Sequence, residues 1–453
     1  MFIIVNKGVI KLKKDKIYKR PAFIIMSSFI VVILLGAFLL NLNIASSNGK
    51  SLGFENALFT ATSATCVTGL IVVNTAKKWS FFGKLIIIIL IQIGGLGTMS
   101  MFSAFFLFLK KRIGLRHRMI IKESLNLNSY TGVVRFVKNI IIFSLSIEII
   151  GAMILAIRFV PMFGLRGIWL SIFHSISAYC NAGFDLFGNS MEGFYNDPLV
   201  LLTISGLVIV GGLGFIVFSD LYESKNFKNL TLHSKLALTI SLALLVSGTI
   251  VFIVLEDNNV QSIRDFSTGD TILTAFFQST VARTAGFSSI DLANIHHSTA
   301  FMLMLLMFVG ASPASTGGGI KTTTFGILIL STLSILRGEN RFRAYKRSIK
   351  IEIIYRSIAI LMLSLGIIAI SSFLISGMEH ERFAFIDVMF EVFSAFATVG
   401  TSRGITADLS LFSHLVLIVV MIFGRVGPFT VAYAISNHKK NKIQYANGQV
   451  IVG

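Results

Sequence analysis

The sequence predicts an all-α membrane protein with eight transmembrane helices, arranged as four parallel repeats of span, short re-entrant helix and span around a central pore. Three observations carry that expectation. Hydrophobic residues make up 54% of the 453 positions and charged residues 13%, a balance too apolar for a water-soluble chain of this size. Runs such as "FIIMSSFIVVILLGAFLL" from Phe23, "LIIIILIQIGGLGTMSMFSAFFLFL" from Leu85 and "HLVLIVVMIFGRVGPFTVAYAI" from His414 reach the roughly 20 residues that cross a bilayer as helix. One pattern of segments also recurs four times, about every hundred residues.

The formal charge of +19 raises nucleic acid as a partner, so the placement of the basic residues matters. They cluster in a few loops between apolar runs: Lys7 to Arg20, Lys110 to Arg118, Arg337 to Lys350, and the tail at Lys439, Lys440 and Lys442. That is the positive-inside pattern of a multi-pass protein of the cell membrane, with both termini cytoplasmic and with lipid, not nucleic acid, as the partner. The opposite loops carry most of the acids, among them Glu55, Asp185, Asp197, Asp257, Asp265, Asp270, Asp291, Glu379 and Asp408. Such a rim attracts cations, and it equally fits a plain solvated edge. Cys66 and Cys180 form neither a disulfide framework nor a zinc spacing. The basic start followed by a long apolar run and further spans is a first transmembrane helix, not a signal peptide.

The short segments of the repeat are "FENALFTATSATCVTGL", "IWLSIFHSISAYCNAGF", "TILTAFFQSTVARTAGF" and "AFIDVMFEVFSAFATVGT". Aligned on Gly69, Gly183, Gly286 and Gly400, each carries Phe ten residues earlier, at Phe59, Phe173, Phe276 and Phe390, and a small hydroxyl residue six earlier, at Ser63, Ser177, Thr280 and Ser394. The chain then divides into a basic N-terminal segment (1–20), repeat 1 (21–110, turn 65–70), a cytoplasmic loop (111–135), repeat 2 (136–222, turn 179–184), a loop (223–234), repeat 3 (235–337, turn 282–287), a loop (338–352), repeat 4 (353–437, turn 396–401) and a tail (438–453). Each short segment is too short to cross and lies between two spans on the acidic side. It must dip in as a half-helix and return as extended chain, which is tolerated only where it lines a water-filled cavity. Two crossings per repeat give all four the same orientation, unlike the inverted repeats of many secondary transporters.

A dehydrated monovalent cation needs rings of carbonyl oxygens in place of its water, and glycine allows the sharp bends that aim them inward. The candidate filter is therefore Thr65, Cys66, Val67, Thr68 and Gly69; Cys180, Asn181, Ala182 and Gly183; Arg283, Thr284, Ala285 and Gly286; and Thr398, Val399 and Gly400. Cys66 and Cys180 share one register position and serve as small filler behind the turns. "GGLG" at 94–97 and at 211–214 fits helix-packing glycines.

The second span of repeat 3 is interrupted by "GASPASTGGGIKTTTFG". Pro313 and the glycines Gly317, Gly318 and Gly319 break a helix, so 311–324 is expected to be a loop inside the pore below the turns, where a gate belongs. Lys321 lies just past the glycines and Arg425 at comparable depth in repeat 4; intramembrane charges usually line a pathway or pair with something. Lys321 alternatively snorkels to the interface, and Arg425 alternatively pairs with a neighbouring helix carbonyl. "GGGIKT" is not a phosphate-binding loop, because Ile320 separates Gly319 from Lys321 and no soluble strand precedes it. His296 and His297 read as interfacial. Glu148 and Asp220 are the acids near the spans, and Glu148 needs a partner if buried.

These residues resemble the superfamily of Trk, Ktr and HKT potassium transporters, and the membrane subunit of Ktr-type systems in particular: the chain begins directly with the first repeat and ends in a short "GQVIVG" tail. The resemblance covers nearly the whole chain. It implies a single-chain, pseudo-fourfold version of a potassium-channel pore, with Gly69, Gly183, Gly286 and Gly400 as filter glycines, an intramembrane gating loop at 311–324, and Arg425 as a pore arginine. It further implies potassium as cargo, sodium as a candidate activator, no organic cofactor in this chain, a homodimer, and gating by a separate cytoplasmic ring of nucleotide-binding regulatory subunits. Thr401 departs from the family pattern of a bulkier apolar residue, and Arg403 puts a positive charge near the outer mouth. The alternative is a sodium- or proton-coupled cation symporter using the same pore. No intramembrane catalytic constellation is present in the sequence, so an enzyme is not expected.

Overall fold

The computed structural model describes residues 21–97, 101, 119, 133–338 and 342–435. The expected basic N-terminal segment, most of the loop 111–135 and the tail lie outside the described residues. Fifteen helices carry the architecture: α1 (Pro21–Leu40), α2 (Phe54–Cys66), α3 (Phe81–Leu96), α4 (Val133–Phe163), α5 (Leu165–Tyr179), α6 (Pro198–Leu213), α7 (Phe215–Ser224), α8 (Leu232–Glu256), α9 (Thr268–Val281), α10 (His297–Phe308), α11 (Thr322–Leu336), α12 (Ile351–Glu379), α13 (Phe385–Ala397), α14 (Leu411–Val426) and α15 (Pro428–Ile435). A two-stranded hairpin, β1 (Arg343–Ala344) and β2 (Arg347–Ser348), joins α11 to α12.

The long and short helices differ in what surrounds them. Among the described residues, α1, α4, α8 and α12 are the helices long and apolar enough to cross a membrane, and α6 with α7 adds a fifth if that pair, bent by 88°, is one span. The long helices expose apolar side chains such as Phe38, Ile157, Val254 and Phe373. Exposed apolar surface of this extent is stable in lipid, not in water. The short helices α2, α5, α9 and α13 are instead buried towards their C-termini, with Phe59, Phe173 and Phe390 of the repeated phenylalanines fully buried and Phe276 half-buried.

The packing is cyclic. Within the repeats α1 packs on α2, α4 on α5, α8 on α9 and α12 on α13; between repeats α3 packs on α5, α6 on α9, α10 on α13, and α14 back on α2. That last contact closes the ring, and the hydrogen bond between His414 Nδ1 on α14 and Glu55 Oε1 on α2 (2.8 Å) reinforces it.

Two of the acids expected on the rim, Glu379 and Asp197, are structural, and Glu256 acts in the same way. Glu379 and Glu256, the last residues of α12 and α8, are buried and accept the backbone N–H groups of Ser410 (2.8 Å) and His296 (2.9 Å), which cap α14 and α10. Asp197 caps α6 by accepting from Leu199 and Val200, and pairs with Arg158 at 2.5 Å. The reason is general: a helix start offers unpaired N–H groups and a positive dipole end, and a carboxylate satisfies both.

Candidate functional site

The four turns have one geometry. The residue two before each glycine (Val67, Asn181, Thr284, Thr398) is left-handed, with φ of 57°, 58°, 71° and 52°, and each glycine again has positive φ: 95°, 68°, 76° and 97°. The chain leaves each short helix in an alternating conformation that a side chain at the glycine would strain. In repeats 1 and 4 the hydroxyl six residues earlier does a specific job: Ser63 Oγ and Ser394 Oγ each accept the glycine N–H at 3.0 Å. Repeat 2 uses Ser177 differently, donating to Phe184 O at 2.8 Å, and Thr280 in repeat 3 bonds back to Phe276 O at 2.8 Å.

The turns also meet in order around a ring. A Cβ on Gly69 would lie 2.5 Å from Ala182 O, and one on Gly183 3.0 Å from Ala285 O; Cβ atoms on Gly286 and Gly400 would strike Val399 O and Thr68 O. In every case the oxygen belongs to the residue preceding the next glycine. The Asn181 side-chain amide and the Thr284 hydroxyl, 3.0 Å apart, join turns two and three. The Arg283 side chain takes no part in the ring: its guanidinium turns away to α8, donating to Ser241 O (3.2 Å) and Ser241 Oγ (2.9 Å).

Beneath the turns, the "GGLG" glycines divide their work. Gly94, Gly211 and Gly424 press against the carbonyls of Thr65, Tyr179 and Phe396, and Gly95 against the Cys180 side chain. These are packing positions, as the sequence indicates for the two "GGLG" groups, and Gly424 in "FGRVGPF" joins them. The last glycine of each group was not legible as a separate feature: Gly97, Gly214 and Gly427 have φ of 83°, 91° and 91°, and the helices α3, α6 and α14 end there. The expected unbroken second spans are therefore interrupted at a matching depth in repeats 1, 2 and 4. A glycine one turn below the packing pair was the available signal.

In repeat 3 the interruption is longer. The chain leaves helix at Val309 and re-enters at Thr322, so the expected loop starts two residues earlier and ends three earlier than 311–324. Thr322 to Thr324 form the first turn of α11, because Phe325 N–H donates to Lys321 O at 3.0 Å and the apolar run resumes. The loop is closed at its neck by Gly310 N–H to Ile320 O (2.9 Å) and pinned to the break in repeat 2 by Ser312 N–H to Gly212 O (2.9 Å), Thr316 N–H to Gly211 O (3.2 Å) and Phe215 N–H to Ala314 O (3.0 Å). Gly317 and Gly318 lie against the Thr284 and Thr398 side chains of turns three and four, where any Cβ would collide.

Lys321 and Arg425 both meet this loop. Lys321 Nζ turns back to donate to Gly317 O at 2.6 Å, in place of snorkelling. Arg425 donates to Thr316 O through Nη1 and to Gly94 O and Gly95 O (3.1 Å for the latter) through Nη2, so one guanidinium links repeat 4, the loop and the break in repeat 1. A cavity of about 210 Å³ adjoins the loop, lined in part by Gly317, Gly319, Lys321, Arg356, Arg425 and Gly427.

Four other residues singled out in the sequence find their places. Arg403 follows the fourth turn, but its side chain is only 7% exposed and is paired with Asp387 at 2.5 Å, so the free charge expected there is not presented. Thr401 is buried, with its hydroxyl 3.9 Å from Met307 Sδ. Glu148, 4% exposed, has its partner in Gln92, whose Nε2 donates to both carboxylate oxygens at 2.9 and 3.2 Å. Asp220 is held by Ser224 (3.1 Å) and Thr231 (2.8 Å) at the foot of α7.

Comparison with known proteins places this geometry in a family. The chain is 41% identical to "Ktr system potassium uptake protein B" of Vibrio alginolyticus, over 97% of both chains, and 40% identical to the protein of that name in Bacillus subtilis, over 98% of this chain and 100% of that one. It is 39% identical to "Potassium/sodium uptake protein NtpJ" of Enterococcus hirae, over 97% of this chain and 99% of that one. The crystal structure of the potassium transporter TrkH from Vibrio parahaemolyticus superposes with a TM-score of 0.72 at 17% identity, covering 95% of this chain and 87% of that one, a likeness of fold. The TrkH cation transport protein profile matches residues 1–444, and the chain belongs to that family.

Proposed function

We propose that this chain is the ion-translocating membrane subunit of a bacterial potassium uptake system. A potassium ion sheds water onto the backbone carbonyls of the four turns, then passes the intramembrane loop of repeat 3 into the cytoplasm. The observation that carries the reading is the closed ring in which each turn glycine abuts the carbonyl preceding the next. Four converging carbonyl-bearing strands are what a monovalent cation requires to leave water, and α2, α5, α9 and α13 end at the turns with their negative dipole ends towards them.

On this reading the four repeats supply eight spans, with broken second members and both termini cytoplasmic. Gly317, Gly318 and Gly319 with Lys321 and Arg425 form the gate, since two cations beside the pathway oppose a third until the loop moves. Relatives named as components of a Ktr system support a system in which this chain works with separate subunits, and the relative named for potassium and sodium uptake supports sodium as a second transported ion; a homodimer under a cytoplasmic ring of nucleotide-binding subunits, and sodium as activator, belong to the same proposal. The activity is transport, not catalysis.

The test is potassium and sodium uptake in cells lacking their own potassium uptake, with the regulatory partner supplied, comparing this chain with Gly286→Ser. Restored uptake that falls on substitution, with relatively more sodium entering, supports the carbonyl filter. Unchanged rate and selectivity, with both proteins at the membrane, sinks it.

A further inference from the structure

Behind the fourth turn lies a buried carboxylate that the pathway above does not use. Glu391 stands on α13 nine residues before Gly400 and is 1% exposed. It accepts three hydrogen bonds, all from the limb that leaves the turn: Ser402 Oγ at 2.5 Å and the Arg403 backbone N–H at 3.1 Å on Oε1, and Thr406 Oγ1 at 2.8 Å on Oε2. The Arg403 side chain holds the same limb from the other side. It donates to Asp387, one helical turn before Glu391, at 2.5 Å, and to Leu292 O (3.2 Å), Ala293 O (3.1 Å) and Ile295 O (3.4 Å) beyond the third turn.

The same clasp recurs in other chemistry. In repeat 2 the residue nine before the glycine is His174, and its Nε2 accepts the N–H of Leu186 at 3.2 Å, three residues after Gly183, as Glu391 accepts that of Arg403, three after Gly400. In repeat 3 the adjoining position supplies Gln278, whose Nε2 donates to Ser288 Oγ at 2.9 Å. Repeat 4 alone of these three uses a carboxylate, with three donors drawn onto one group. Burying a carboxylate is costly unless its lone pairs are filled, so the limb must keep its donors in place for the group to be tolerated.

We infer that Glu391 is a positioning residue for ion selection: by clasping residues 402 to 406 it fixes the outgoing limb of the fourth turn, and with it the stance of that turn's carbonyls towards potassium over sodium. The inference rests on the reading of the turns as the filter. A carbonyl ring whose limb can shift closes onto the smaller ion and discriminates less.

The experiment measures initial rates of potassium and sodium uptake, and the KM for potassium, in cells lacking their own potassium uptake. The full chain and its regulatory partner are used, and the surface level of each variant is quantified. Glu391→Ala is expected to lower the potassium-to-sodium ratio by about tenfold, because it removes the acceptor shared by the buried Thr406 hydroxyl and the half-buried Ser402 hydroxyl and Arg403 N–H. Glu391→Gln is expected to restore most of it, since its carbonyl oxygen can accept from Ser402 and Arg403 while its amide donates to the Thr406 hydroxyl. Thr406→Val, losing one donor, should fall between. Gly400→Ser serves as the control on the filter itself. If Gly400→Ser moves the ratio and Glu391→Ala, present at the membrane, does not, the inference is overturned and the filter stands; if neither moves it, the filter reading fails. Should Glu391→Ala not reach the membrane, a wild-type ratio in Thr406→Val, or a ratio in Glu391→Gln far below wild type, overturns the clasp.

Discussion

Replacing Arg425 tests the gate directly. Its guanidinium spans Thr316 O of the loop and the carbonyls of Gly94 and Gly95 in repeat 1, a fork that holds the loop against the neighbouring break. Charge-assisted hydrogen bonds are worth about 1.5–3 kcal/mol each; with part of that returned to water on release, a net loss of about 2 kcal/mol shifts the ratio of released to held loop by about thirtyfold. Arg425→Gln is therefore expected to raise potassium uptake into proteoliposomes holding this chain without its regulatory partner. Arg425→Lys separates latch from charge. Lysine keeps the positive charge but cannot fork across two carbonyls on different elements, so a latch predicts raised uptake in both variants. If Arg425→Gln is raised while Arg425→Lys matches wild type, the arginine acts as an electrostatic barrier and the latch is refuted. Unchanged uptake in both refutes a gate at this residue.

Three further outcomes follow from the same contacts. Gly424→Ala would drive a methyl group into Phe396, whose carbonyl carbon would lie at 2.8 Å, and should cost about 1–3 kcal/mol, read as a lowered Tm of the purified protein; Gly366→Ala in α12, with nothing within 4 Å, should leave Tm unchanged or slightly raised. Glu148→Gln should retain transport with an unaltered pH profile, because the amide can still bond Gln92; loss of pH dependence would favour the proton-coupled reading. In the short turn before α6, the Glu192 carboxyl is pushed up from its ordinary range by burial and then by Asp291 and Asp185, against the pull of Asn189. A raised carboxyl favours the fold below its unfolded range and penalises it as pH rises through the folded value. Glu192→Gln should thus raise Tm relative to wild type at neutral pH, and the difference should shrink towards pH 4; a constant difference would show that ionisation is not its source.

The sequence by itself determined the membrane class, the fourfold repeat and the turns. Apolar length and the register of Phe59, Ser63 and Gly69 with their counterparts are one-dimensional signals, and helix and turn formation answer to neighbours a few residues away. Pro313 and three glycines marked the break in repeat 3 for the same local reason. Tertiary structure decided what those signals could not carry. Arg425 meets Gly94 across 331 residues of chain, and the fate of Arg403 depended on carbonyls beyond the third turn. The acids looked alike in sequence, yet Glu379 and Glu256 are buried caps and Glu391 a clasp. Whether a carboxylate is solvated or buried is set by which donors the fold brings to it, and a chain closed into a ring brings donors from the far end as readily as from the next turn.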